Sequence, residues 1–338
     1  MIGYYIHHHG HGHMARAVSI SAHLQRPVTA LTSRPLPEAH PFTATVTLPR
    51  DDTAEHVAEP TAHGALHWAP HHDAGYGARM QALAEWVADT GPDACVVDVS
   101  VEVAVFLRLL GVPVIVVAQP GDRTDPAHTL VYQVADHILA PWPRELNTPR
   151  WLLPHAAKTS YVGGISRFEG RTVDGYDADR DARIRAGELN VLLLGGAGGG
   201  FDKRIPSAGP DGVRWKALGG AGGDWVDDPW AAICDADVVV SHAGQNSVAD
   251  LAAARRRAIV IPQPRPFDEQ EATANVLARH GLAATATGWP DDDAWPLLLQ
   301  TARESDPGRW RRWRVDGAAA RAAEAIEDTA HRCRRPVA

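Results

Sequence analysis

Short runs of β-branched and aliphatic residues recur along this chain, each closed by a glycine-rich or polar turn and followed by a longer amphipathic stretch. Parallel βα units read this way, because a strand covered on both faces is apolar throughout whereas its crossover helix is apolar on one side only. In the first half the runs are Ile2–Ile6, Val28–Leu31, Thr43–Leu48, Ala94–Val97 and Val114–Ala118, with a weaker one at His137–Ala140. Helices are expected near Met14–Leu24, Arg79–Asp89 and Val101–Leu110. Between Pro141 and Gly170 the rhythm lapses into Pro, Trp and Gly, which marks a linker.

The rhythm restarts at Asn190–Leu194 and continues through Val213–Leu218, Val238–Ser241 and Ala258–Ile261. Helices are expected there near Ser247–Ala254, Glu269–His280 and Ala294–Glu304, with a last polar helix over Gly317–Arg332. No repeat of solenoid length accompanies it. The 338 residues exceed one ordinary domain of roughly 100–200 residues, so two domains are expected. The fold class is α/β, with two doubly wound, Rossmann-like domains facing a cleft, over residues 1–154 and 155–338. The last helix is a candidate to pack across the junction. In such sheets ligands sit beyond the carboxyl ends of the strands, so the residues just after each strand carry the functional weight.

Composition narrows the partners. A net charge of −8, with no basic block beyond Arg255-Arg256-Arg257, offers little to nucleic acid or to an anionic bilayer. The triplet reads as a solvated helix end. The three cysteines are scattered, which fits a reducing, cytoplasmic compartment. No stretch reaches membrane-spanning length and Ile2–Ile6 runs straight into histidines, so no signal peptide is expected and peripheral membrane contact stays open.

The richest segment runs from Trp225 to Asn275. After the strand ending at Ser241 come His242, Gly244, Gln245, Asn246 and Ser247, then Asp250, and after the next strand come Asp268, Glu269 and Gln270. Gly244 lets backbone approach a ligand closely, and Asn246 or Ser247 can cap a helix whose amide groups and positive dipole end hold a diphosphate. Asp250 is either a dipole-favoured acid in the first turn or a partner for ribose hydroxyls.

This ordered series resembles the donor site of MurG-type (family 28) and family 1 nucleotide-sugar glycosyltransferases, which have the GT-B fold. The resemblance implies that His242, Gly244, Gln245, Asn246 and Ser247 meet the diphosphate, Asp250 the ribose, and Asp268, Glu269 and Gln270 the sugar, with Trp225 and Val226 receiving the base, typically uracil. The stretch Gln263–Phe267 makes the sugar loop longer than in typical MurG sequences. The glycine-rich run Gly195-Gly196-Ala197-Gly198-Gly199-Gly200 resembles a phosphate loop of the same enzymes, although a turn without ligand contacts reads equally well.

Near the amino end, His7, His8, His9, Gly10, His11, Gly12 and His13 follow the first strand. Gly10, Gly12 and His13 match the families' first loop, which implies that His13 is a general base. Asp98, at the end of the strand Ala94–Val97, could orient it or could instead cap the following helix. Histidines alone in one loop match no standard metal site, and no metal is expected. The loop Gln119–Thr124 lies where an acceptor would touch.

The expected activity is metal-independent and inverting transfer of a sugar, most simply from a UDP-sugar, to a small-molecule, lipid-linked or glycan hydroxyl. No cofactor beyond that substrate is implied. A nucleotide-sugar epimerase of the same fold, or a non-catalytic nucleotide-sugar-binding partner, are the alternatives.

Overall fold

The computed structural model describes residues 1–8, 10–172, 178–186, 188–195, 212–220 and 224–334. Their contacts divide the chain into two compact units, Met1–Pro141 with Thr148–Val162 and Ala318–Ala338, and Trp142–Asn147 with Gly163–Gly317.

The first unit holds strands β1 (Ile2–Ile6), β2 (Val28–Thr32), β3 (Ala44–Thr47), β4 (Ala94–Asp98), β5 (Val114–Val117), β6 (His137–Ala140) and β7 (Thr159–Tyr161). They form one seven-stranded sheet in the order β3-β2-β1-β4-β5-β6-β7, parallel at every pairing. The central strands β1, β4 and β5 are buried along their whole length, as their unbroken apolar runs require. Trp86 packs so tightly on β1 that a Cβ at Gly3 would lie 2.3 Å from its ring.

Helices α1 (Gly12–Ser21), α2 (Ala74–Thr90), α3 (Val101–Leu109) and α4 (Pro126–Val134) complete the crossovers. Their starts are chemically marked. Asp73 accepts from the Tyr76 amide at 2.6 Å, Ser100 from Val103 at 3.2 Å, and Asp125 from His128 at 3.2 Å with Pro126 in the first turn. Helix α1 starts two residues before the expected Met14, which puts His13 in its first turn.

The second unit holds β8 (Leu189–Leu194), β9 (Val213–Leu218), β10 (Val238–Ser241), β11 (Arg257–Val260) and β12 (Ala284–Thr285), ordered β12-β11-β10-β8-β9 and again all parallel. Helices α5 (Ala178–Ala186), α6 (Trp230–Asp235), α7 (Gln245–Ala254), α8 (Glu269–Arg279) and α9 (Trp295–Glu304) flank it. Its core centres on fully buried Trp295, which meets Trp215 and Trp289 edge to face with ring centroids 5.1 and 5.4 Å apart. The last helix, α10 (Ala318–Arg332), follows this unit in sequence but packs on α1, β4 and β6 of the first, where Glu327 pairs with Arg26 at 2.9 Å.

Each sheet has one place where the strand order reverses, between β1 and β4 in the first and between β8 and β10 in the second. A ligand crevice opens at such a point, because the two crossovers leave in opposite directions. The loops after these four strands are those the sequence singles out. No helix among the described residues is long and apolar enough to cross a membrane.

Candidate active site

At the switch point of the first sheet, His13 Nδ1 lies 3.0 Å from Asp98 Oδ1. Asp98 is fully buried, and Arg16, one helical turn beyond His13, donates to both its oxygens at 2.8 Å. Burial raises the Asp98 carboxyl, but the Arg16 and His13 charges and hydrogen bonds outweigh it and hold the group well below the usual carboxylate range. Asp98 is thus a fixed anion near neutral pH. Arg16 Nη2 lies 3.2 Å from the same Nδ1, so the role of that nitrogen follows the tautomer; with the proton on Nδ1, Asp98 accepts it and Nε2 is the basic nitrogen of His13.

The alternative, Asp98 as the cap of α3, is excluded because Ser100 fills that position. Between them Val99 has φ 68°, a left-handed conformation that costs a β-branched residue about 1–3 kcal/mol and lets the turn give Asp98 and Ser100 separate duties. Sequence reasoning missed Arg16, although its spacing from His13 places both on one face of α1.

Around the dyad, Gly10 has φ 77° and its carbonyl accepts from Arg34 at 2.9 Å, while Gly12 opens α1. His7 stacks on His8 at 4.8 Å and meets His13 edge-on at 5.9 Å. His9 lies outside the described residues. Two mixed groups, His8-Asp51-Asp52 and His67-Asp125-His128, each bring their ligand-type atoms within 4.8 Å of one another. Protein cations already stand against both. Arg79 reaches Asp51 at 3.2 Å, Arg50 reaches Asp52 at 2.6 Å, and Arg123 lies 3.3 Å from His128 Nε2.

In the second unit the loop after β10 begins with buried His242, whose Nδ1 donates to the Ile261 carbonyl at 3.0 Å. Gly244 occupies the N-cap of α7, with φ −65° and ψ 142°. Neither Asn246 nor Ser247 caps the helix, as the sequence suggested, because the helix starts at Gln245 and both lie inside its first turn. First-turn amides cannot bond within a helix, so those of Gln245, Asn246 and Ser247 face its mouth.

Gln270 is buried in the first turn of α8, and its Oε1 accepts from the Ala243 amide at 3.2 Å and the Gln263 amide at 2.9 Å. One side chain therefore ties the loops after β10 and β11 together. Asp268 is exposed at the N-cap of α8 with φ 54°, next to Phe267 at φ 64°, so the loop after β11 ends in two consecutive left-handed residues. Glu269, half-buried, opens the helix. Trp225 and Val226 stay exposed, and the Trp225 indole donates to Asp227 at 2.7 Å. Gly195 has a packing role, since a Cβ there would lie 2.9 Å from the Gly219 and Gly220 backbone, and Gly196–Gly200 lie outside the described residues.

Asp250 is buried in α7. Its Oδ1 accepts from Ser166 Oγ at 2.6 Å and its Oδ2 lies 3.4 Å from Arg167 Nε. Nothing local in the sequence signals this pairing. Burial pushes the Asp250 carboxyl up to about 6 despite Ser166 and Arg167, which lower it. The folded protein keeps this proton until about pH 6, whereas an unfolded aspartic acid releases it near 3.8. The resulting stability is full below that lower value and is lost as pH rises through about 6, a swing of about 3 kcal/mol. Asp250→Asn, which cannot titrate, is expected to erase the swing. Denaturant melts of both proteins at acidic and neutral pH test this, and an unchanged stability gap would refute it.

The fold and these two loops define a GT-B architecture of two Rossmann-like units. Within it, residues 224–287 match the glycosyltransferase family 28 C-terminal domain, the stretch that holds His242 to Gln270. Over 201 residues the chain is 29% identical to the UDP-N-acetylglucosamine--N-acetylmuramyl-(pentapeptide) pyrophosphoryl-undecaprenol N-acetylglucosamine transferase of Cupriavidus metallidurans, covering 52% of this chain and 53% of that protein. The chain thus spans about half the length of the curated relatives it matches. Among solved structures, the calicheamicin glycosyltransferase CalG4 superposes with a TM-score of 0.64 at 14% identity, over 98% of both chains. Acinetobacter baumannii MurG does so with a TM-score of 0.58 at 15% identity, over 97% of this chain and 99% of that one.

Proposed function

We propose that this protein is a glycosyltransferase that moves a sugar from a UDP-sugar to an acceptor hydroxyl, without a metal and with inversion at the anomeric carbon. The reading rests above all on the contact of His13 Nδ1 with Asp98 Oδ1 at 3.0 Å, which sets an imidazole against a buried anion at a topological switch point. The family 28 segment over residues 224–287 and the UDP-sugar named for the relatives support the donor half.

In this mechanism His13 Nε2 takes the proton of the acceptor hydroxyl as its oxygen attacks the anomeric carbon. The bond from that carbon to the diphosphate breaks, and the single displacement inverts the centre. The departing diphosphate meets His242 and the mouth of α7 at Gly244, Gln245, Asn246 and Ser247, where amides and the helix dipole stabilise it. Asp250, with Ser166 and Arg167, takes the ribose, Trp225 and Val226 take the uracil, and Asp268, Glu269 and Gln270 take the sugar hydroxyls. Gly10 and Gly12 keep the loop after β1 thin.

Calorimetric titration with UDP, GDP and dTDP tests the donor reading, with saturable UDP binding expected and the other two at least tenfold weaker. No heat with any of the three would end it. Conversion of a UDP-sugar to an epimer without acceptor would replace transfer by epimerisation.

A further inference from the structure

The first unit contains a cavity of about 310 Å³ at the carboxyl ends of β1, β4 and β5. That is near the lower bound of the roughly 300–1,000 Å³ typical of small-molecule sites. Its wall is largely aliphatic and aromatic, with Val97, Val99, Val116, Val131, Tyr132 and Met80 among its residues. It borders the catalytic dyad. Val97 and Val99 flank Asp98, and His7, which also lines the cavity, meets the His13 ring at 5.9 Å.

Three carboxylates reach this wall, and each is engaged by the protein. Asp51 pairs with Arg79 at 3.2 Å, and Asp52 with Arg50 at 2.8 and 2.6 Å. Glu102 accepts from the His67 and Trp68 amides at 2.7 and 3.0 Å. No lysine or arginine is among the described residues lining the cavity. A diphosphate brought here would meet three carboxylates and the histidines His7, His8, His67 and His128 but no lysine or arginine of the described wall, which disfavours a polyanionic occupant.

Gln119, just beyond β5, is 6% exposed and lines the cavity, and its amide Nε2 has no hydrogen-bond partner. Buried donors are normally paired, and an oxygen of the cavity's occupant can supply the partner this one lacks. A site that hydrogen-bonds its ligand discriminates strongly against analogues lacking that oxygen.

We infer that the acceptor is a compact, uncharged, mainly apolar alcohol or phenol, seated in this cavity with a hydrogen-bond-accepting oxygen on the Gln119 amide; this rests on the glycosyltransferase reading above. The acceptor class thereby departs from the pyrophosphoryl-linked one named for the Cupriavidus relative. The cavity's apolar wall carries the body of the molecule and Gln119 sets its direction. The hydroxyl to be glycosylated then lies toward His7 and His13.

Three probes titrated into the full chain by calorimetry test this. 7-Hydroxycoumarin has a flat apolar body, a phenol and a carbonyl, 2-naphthol lacks the carbonyl, and geranyl diphosphate carries the anionic group. Saturable binding of 7-hydroxycoumarin is expected, about tenfold tighter than 2-naphthol and with geranyl diphosphate weakest. Gln119→Leu is expected to remove the tenfold difference between the first two. Met80→Trp, which fills the cavity from a half-buried position, is expected to weaken both aromatic probes at least tenfold.

UDP affinity is expected to stay the same in both variants. Geranyl diphosphate binding best, neither aromatic probe saturating, or Gln119→Leu weakening both aromatics equally would each overturn the inference. Failure of UDP to bind in the same samples would instead sink the transferase reading, and with it the word acceptor, whatever the probes do.

Discussion

Replacing His13 by alanine is expected to lower turnover by about 10²–10⁴-fold, the usual worth of a positioned general base, while leaving UDP affinity unchanged. The geometry explains the size. His13 Nδ1 is held by Asp98, and Asp98 is itself clamped by two Arg16 hydrogen bonds, so the imidazole is oriented before the reaction begins. Steady-state rates with a UDP-sugar, alongside UDP calorimetry on the same variant, separate the catalytic step from donor binding. Unchanged turnover would remove His13 from the mechanism, and a matching loss of UDP affinity would make it a binding residue instead.

Gly244→Val is expected to leave the fold almost untouched yet weaken UDP binding at least 100-fold, about 2.7 kcal/mol. The backbone at Gly244 is extended, with φ −65° and ψ 142°, and so needs no glycine. An added Cβ would meet only Ser247 Oγ, at an ordinary 3.8 Å. Loss of a favoured N-cap costs about 1 kcal/mol. What valine invades is the space before the first-turn amides of α7, where the phosphates are proposed to lie. Thermal melts with and without UDP measure both halves of this prediction. A variant that melts normally and binds UDP normally would show that this helix mouth holds no nucleotide.

Much of the architecture was legible because parallel strands advertise themselves as buried runs. Ile2–Ile6, Val213–Leu218 and Val238–Ser241 are strands at the expected bounds. The omissions have physical causes. β12 has two residues and β7 has three, too few for any period to show, and β7 lies within the Pro- and Trp-rich stretch read as a linker. Helix α4 was passed over even though Asp125 and Pro126 spell a helix start, because the residues before it read as an open loop.

The candidate site divides along the same line. His13, Asp98, His242 and Gly244 were visible because each follows a strand end, where topology concentrates ligands. Arg16 was one helical turn away and went unread. Ser166 and Asp250 are 84 positions apart, and the Glu102 carboxylate finds the His67 and Trp68 amides across more than 30 positions, so only the folded chain could join them. The Gln119 amide is similar, since the sequence places it in a loop after a strand but says nothing of the enclosed space it faces.

The placement of α10 on the first unit has a consequence for how the protein comes into being. A chain made from its amino end cannot close its first sheet's helical cover until the whole second unit has been synthesised, because Ala318–Arg332 is the piece still missing. During that interval the apolar faces of α1, β4 and β6 that await it are open to water and to other chains. Removing Ala318–Arg332 therefore harms the unit holding His13 before it harms the unit holding Gly244.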